Sequence, residues 1–154
     1  MTSEIILNYQ KACREAINTT GGIKLDIPKP NNIIFAGIGG SAIPGELVKD
    51  AVDLNIPIEV SRSYTLPAHA SSSGLVICIS YSGNTEEPLS QFVEAVKKKF
   101  PVVSIASGGK LLEWSKRLNI PFIQVPAGYQ PREAIPYFFF SAIACLEKIG
   151  LKDF

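Results

Sequence analysis

Three serine and threonine hydroxyls and a glycine crowd into the stretch Ser80-Tyr81-Ser82-Gly83-Asn84-Thr85-Glu86-Glu87, immediately ahead of a segment with helical spacing. The unpaired amides of a helix's first turn, joined by serine and threonine hydroxyls, form a cradle that takes a phosphate dianion without needing a lysine. Thr85 alone reads as a plain N-cap, with Glu86 and Glu87 complementing the helix dipole. Ser80, Ser82 and Thr85 taken together, with Gly83 and Asn84 between them, read instead as an anion-binding loop.

A second loop of this kind is Gly37-Ile38-Gly39-Gly40-Ser41-Ala42. It follows an apolar run and opens a helical one, so Gly39 and Gly40 let the backbone approach a ligand and Ser41 adds a hydroxyl at the helix start. Three readings stand side by side. The glycines make only a tight turn; or they form the G-x-G-x-x-A dinucleotide fingerprint, with Glu59 at roughly the ~20-residue offset that motif uses; or they hold a sugar or its phosphate. A dinucleotide site has no special use for the hydroxyl cluster at 80–85, whereas a phosphosugar needs one loop for its phosphate and another for its carbon chain. The two loops together favour the phosphosugar.

Two further loops complete the set. Ser107-Gly108-Gly109-Lys110 resembles a P-loop fragment, but Ser104 occupies the position of the earlier glycine, so the segment reads as a turn opening a helix. In Pro126-Ala127-Gly128-Tyr129-Gln130-Pro131-Arg132-Glu133-Ala134 the prolines stiffen the approach and deliver Arg132 at or just before the last helix. A guanidinium there suits an oxygen-rich ligand or developing negative charge, against the alternative of an ordinary solvated arginine. Arg132 is the candidate catalytic residue.

The elements that must position these loops alternate. Ile33 to Ala36, Ile58 to Val60, Leu75 to Ile79, Val102 to Ala106 and Phe122 to Val125 are short apolar runs bounded by Pro, Gly or Ser, as buried parallel strands are. Helical segments follow at Ala42 to Leu54, Thr85 to Phe100, Lys110 to Leu118 and Glu133 to Ile149. An N-terminal helix over 1–22 presents Ile5, Ile6, Tyr9, Cys13, Ala16 and Ile17 behind the caps Thr2 and Ser3, and stops at Gly21-Gly22. The expectation is an α/β fold, a three-layer αβα sandwich on a five-stranded parallel sheet in flavodoxin-like order, with the doubly wound core over 31–150 and one domain over 1–154. In such a sheet ligands sit beyond the carboxyl ends of the strands, where all four loops fall.

Composition narrows the classes. Fifteen Lys and Arg against 14 Asp and Glu leave a net charge of +1, which provides no global field towards nucleic acid or an anionic membrane. The three cysteines, Cys13, Cys78 and Cys145, stand apart and the one histidine is His69, a pattern that suggests neither disulfides nor a zinc site; no metal and no cofactor are expected. Glu4 and Lys11 interrupt the N-terminal apolar stretch, so a signal peptide or membrane span is not expected and the protein reads as soluble and cytoplasmic. The last helix is apolar on more than one face through Ile135, Tyr137, Phe138, Phe139, Phe140, Ile143 and Leu146. Such a helix needs a second partner besides its own sheet, and a homo-oligomer or a second polypeptide of the same kind would supply it.

In their order and spacing GIGGSAIPGELV, SYSGNTEE, SGGK and PAGYQPREAIPYFFF resemble the N-terminal sugar isomerase (SIS) domain of the archaeal and bacterial bifunctional phosphoglucose/phosphomannose isomerases, over nearly the whole chain. SxSGxTxE alone marks SIS domains broadly, and the GGS loop with the QPR segment narrows the likeness. The resemblance implies that Gly40 and Ser41 help bind the sugar, that Ser80, Ser82 and Thr85 hold the phosphate, and that Arg132 stabilises an enediolate. It also implies that the family's second SIS domain, which supplies the general-base glutamate, a ring-opening histidine and a lysine, is absent from these 154 residues. Isomerisation needs a base between C1 and C2. Of the candidates Glu46, Glu86, Glu87, Glu133 and His69, the histidine falls at the amino end of the sheet and the glutamates at helix starts are explained by dipole compensation. A phosphosugar-sensing module without turnover and a nicotinamide dinucleotide-binding domain are the competing functions.

Overall fold

The computed structural model describes residues 2–152, with side chains described from Leu7 onward. The caps expected at Thr2 and Ser3 and the apolar positions Ile5 and Ile6 therefore lie outside the described side chains. Helix α1 (Thr2–Gly21) leads into the alternation β1 (Ile33–Ala36), a 3-10 turn (Gly39–Ser41), α2 (Ile43–Ala51), β2 (Ile58–Ser61), β3 (Leu75–Ile79), α3 (Glu86–Lys97), β4 (Val102–Ala106), α4 (Gly109–Arg117), β5 (Phe122–Gln124) and α5 (Ile135–Lys148).

The five strands form one parallel sheet in the order β2-β1-β3-β4-β5, which is the expected flavodoxin-like order. The β-branched runs are buried on both faces because helices cover both. Ile33, Phe35, Ile77, Ile79, Val103 and Ile105 face α1, α2 and α5 in one core, where Val48, Phe138 and Leu146 meet them. Their alternating neighbours Ile34, Ala36, Val76, Cys78, Val102 and Ala106 face α3 and α4, against Leu89, Phe92, Leu111 and Leu112. The fold is thus the three-layer αβα sandwich with an added N-terminal helix.

The buried stripe of α1 keeps Ala16 of the expected residues but is otherwise shifted. Ala12, Ala16 and Thr20 are buried, while Tyr9 and Ile17 are exposed and Cys13 is intermediate. Two alanines one turn apart let α1 lie close on α5, and the large apolar residues are left outside that contact. Lys148 near the end of α5 secures the exit of α1 by donating to the carbonyls of Gly21 at 2.8 Å and Ile23 at 2.6 Å.

Candidate functional site

Strand order reverses between β1 and β3, so the chain leaves these neighbouring strands in opposite directions and a crevice opens at their carboxyl ends. All four loops singled out in the sequence converge there.

The loop after β3 is organised from within. Ser80 is fully buried; its hydroxyl donates to Thr85 Oγ1 at 3.0 Å and accepts the Gly83 amide at 3.1 Å. Thr85 consequently does not act as the side-chain N-cap of α3, which has none. Exposed Ser82 accepts the Asn84 amide at 3.2 Å and keeps its hydroxyl towards solvent. The helix that follows begins with Glu86 and Glu87, and Glu86 accepts the Tyr64 hydroxyl at 3.2 Å. That hydrogen bond, with the charge of Glu87 behind it, raises the Tyr64 phenol above its ordinary pKa.

The segment Ser107-Gly108-Gly109-Lys110 does more than open a helix, the role read from the sequence. It forms the wall against which the β3 loop is stacked. The Lys110 amide donates to Asn84 Oδ1 at 3.0 Å, the Leu111 amide to the Gly83 carbonyl at 2.9 Å, and the Ser107 amide to the Tyr81 carbonyl at 2.9 Å. Gly83 and Gly109 both take positive φ, and a Cβ on either would overlap the backbone of the opposite loop.

The loop after β1 joins on the other side. The hydroxyl of Ser41 accepts the Tyr81 amide at 3.3 Å, and Gly40 lies against Pro131, a Cβ at Gly40 falling 3.5 Å from the Pro131 carbonyl carbon. Gly40 thus meets the residue next to Arg132. The guanidinium is exposed and makes no hydrogen bond or ion pair among the described residues, three positions ahead of α5. Gly39, at φ +54°, carries the chain into the 3-10 turn beside them.

The possible bases lie elsewhere or are engaged. His69 Nε2 is 2.8 Å from Glu59 Oε2, beside the second residue of β2 and away from the carboxyl-end loops. Glu46 pairs with Arg62 at 2.9 Å, and Glu133 accepts the Gln130 amide at 3.0 Å.

The residue that sequence reasoning missed is Tyr81. Its phenol crosses to the β5 loop, where it accepts the Tyr129 amide at 2.7 Å and donates to the Pro126 carbonyl at 3.2 Å. An aromatic residue between two serines was the available signal.

No protein-family model matches this sequence. A bifunctional phosphoglucose/phosphomannose isomerase of Caldicellulosiruptor bescii is 41% identical over 145 residues, covering 92% of this chain and 42% of that protein. A D-glucosamine-6-phosphate 4-epimerase of Sulfolobus acidocaldarius is 40% identical over 124 residues, 76% of this chain and 39% of its own length. Among solved structures, phosphoheptose isomerase GmhA from Neisseria gonorrhoeae superimposes with a TM-score of 0.64 at 16% identity, over 96% of this chain and 94% of that one. The αβα sandwich with its converging loops is therefore the SIS fold of phosphosugar isomerases. Within it, the chain belongs to the bifunctional phosphoglucose/phosphomannose isomerase family. It spans about two fifths of the length of the curated relatives named above.

Proposed function

We propose that the chain binds a phosphorylated hexose at these loops, as the N-terminal half of a phosphoglucose/phosphomannose isomerase that interconverts glucose 6-phosphate or mannose 6-phosphate with fructose 6-phosphate. The observation that carries this reading is the stacking of the β3 and β4 loops at the uncapped start of α3, with Ser41 and the Arg132 segment joined to the same cradle. The first-turn amides of α3, the Ser82 hydroxyl and Thr85 take the phosphate; Ser80 shapes the loop from inside. Gly39, Gly40 and Ser41 receive the carbon chain, and Arg132 faces the oxygens on which negative charge develops as the enediolate forms.

Proton transfer between C1 and C2 needs a base. Glu46, Glu86 and Glu133 are engaged by Arg62, Tyr64 and Gln130, and Glu87 stands in the first turn of α3, where it complements the helix dipole; the chain by itself is expected to bind without turnover, the base coming from a second half. The dinucleotide alternative is disfavoured because Glu59, its ribose-binding carboxylate, is occupied by His69.

Among the described residues no helix is long and apolar enough to cross a membrane, which fits a cytoplasmic protein acting on soluble sugar phosphates. Ile43 and Leu47 on α2 are exposed, and Phe139, Phe140 and Ile143 on α5 are only partly covered. This apolar face supports self-association or pairing with a second SIS polypeptide. A monomeric mass at micromolar concentration would argue against the former.

Calorimetric titration with fructose 6-phosphate, with the sugar followed by NMR, tests the central reading. Micromolar or weaker binding, about 10⁻⁶ M at best for so small a ligand, is expected without isomerisation. Absence of binding overturns the site, and turnover overturns the missing base.

A further inference from the structure

We propose that Tyr81 is the positioning residue that ties the Arg132 segment to the phosphate loop, an inference that rests on the phosphosugar reading above for its functional consequence but not for its geometry. Tyr81 touches all three of the other loops. Its amide donates to Ser41 Oγ in the β1 loop at 3.3 Å, and its carbonyl accepts the amide and hydroxyl of Ser107 in the β4 loop at 2.9 and 2.5 Å. Only its phenol reaches the β5 loop, at Pro126 and Tyr129. The backbone contacts are available to any residue at this position, whereas the last two require a hydroxyl that donates and accepts at once. The ring below it stands edge-on to Phe138, centroids 6.1 Å apart and planes at 71°, which fixes the direction of the phenol.

The β5 loop depends on such a tie because it has little else. Every residue from Pro126 to Glu133 is exposed, and the hydrogen bonds of Gln130 with Glu133 and Ala134 are local to the turn. Outside the loop, contact is made by Gly40 against Pro131, by the Tyr129 ring against Tyr137 of α5 with centroids 5.6 Å apart, and by the Tyr81 phenol, which alone hydrogen-bonds the loop to another element among the described residues. A segment with no buried side chain opens locally at small free-energy cost unless hydrogen bonds hold it. The phenol fixes the start of the loop, and Arg132 follows three residues after Tyr129. Because Tyr81 sits between Ser80 and Ser82, the placement of the phosphate loop and that of Arg132 pass through one residue, the first by its backbone and the second by its side chain.

The experiment compares the 154-residue chain with Tyr81→Phe, which keeps the ring on Phe138 and all backbone contacts. Amide exchange across 126–133 is expected to quicken about three- to tenfold, the equivalent of one net hydrogen bond. Inorganic phosphate should bind both forms alike, while fructose 6-phosphate should bind the variant about three- to tenfold more weakly, and adding Arg132→Ala should cost nothing more. Unchanged exchange overturns the tether. Parallel loss of phosphate and sugar phosphate, or losses that multiply in the double variant, overturns the positioning role. Failure of the wild type to bind fructose 6-phosphate would sink the phosphosugar reading while the exchange comparison still decided the tether.

Discussion

Gly83 lies against Gly108 so closely that a Cβ on Gly83 would overlap the Gly108 carbonyl oxygen. Gly83 also holds φ at +72°. Gly83→Ala therefore combines left-handed strain with a backbone clash and is expected to destabilise the protein by about 2–4 kcal/mol. Gly39→Ala is the control, with φ at +54° but nothing within 4 Å of the added carbon, and should cost only about 1–2 kcal/mol of strain. Urea unfolding of both variants checks the difference; equal midpoints would mean that the β3 and β4 loops are not packed on each other.

Arg132 separates stability from recognition. Its side chain is exposed and makes no hydrogen bond or ion pair among the described residues, so Arg132→Ala should shift unfolding by less than about 0.5 kcal/mol. On the proposed role of the guanidinium in facing charge that develops during reaction, a phosphorylated sugar acid, whose planar carboxylate imitates an enediolate, should lose about tenfold or more in affinity, and fructose 6-phosphate less. Lysine should restore only part of the loss, since it lacks the planar fork. Equal losses for the two ligands would make Arg132 a ground-state contact instead.

The sheet was readable because its signals are local. Ile33–Ala36, Leu75–Ile79 and Val102–Ala106 match their expected limits residue for residue, each a run of apolar residues closed by Pro, Gly or Ser and buried on both faces. The four loops were readable for the same reason, as glycines and hydroxyls between a strand and a helix. What escaped depends on distance along the chain. In α1 the expected Ala16 is buried, but Tyr9 and Ile17 are exposed and Ala12 takes their place, because close approach to α5 favours small side chains. Thr85 groups with Ser80 and Ser82 by sequence, but the hydrogen bond by which Ser80 holds it from inside the loop was not foreseen. Gly109 looked like a turn residue, and its need for glycine comes from Ser82 in another loop. Tyr81 contacts an amide 48 residues away, a relationship no local pattern encodes.

Tyr137 contributes an alkaline pH dependence of its own. It is buried in α5, and its hydroxyl donates to Glu15 of α1 at 2.5 Å. Burial, then the hydrogen bond to Glu15 and the neighbouring Tyr129 phenol, raise its pKa above the ordinary tyrosine value of about 10. The unfolded chain therefore releases this proton first. Stability from the pair is complete below about pH 10 and falls as pH rises towards the folded pKa, because the native state then binds more protons than the unfolded one. Tyr137→Phe removes the bond and its alkaline slope together. At pH 8 the variant should be less stable by about 1–2 kcal/mol, discounted for the half-exposed Glu15, and the gap should narrow between about pH 10 and 11. Urea unfolding across this range is the measurement. A constant gap would mean that Tyr137 contributes only packing, and that α1 is held to α5 by Ala12, Ala16 and Lys148 without it.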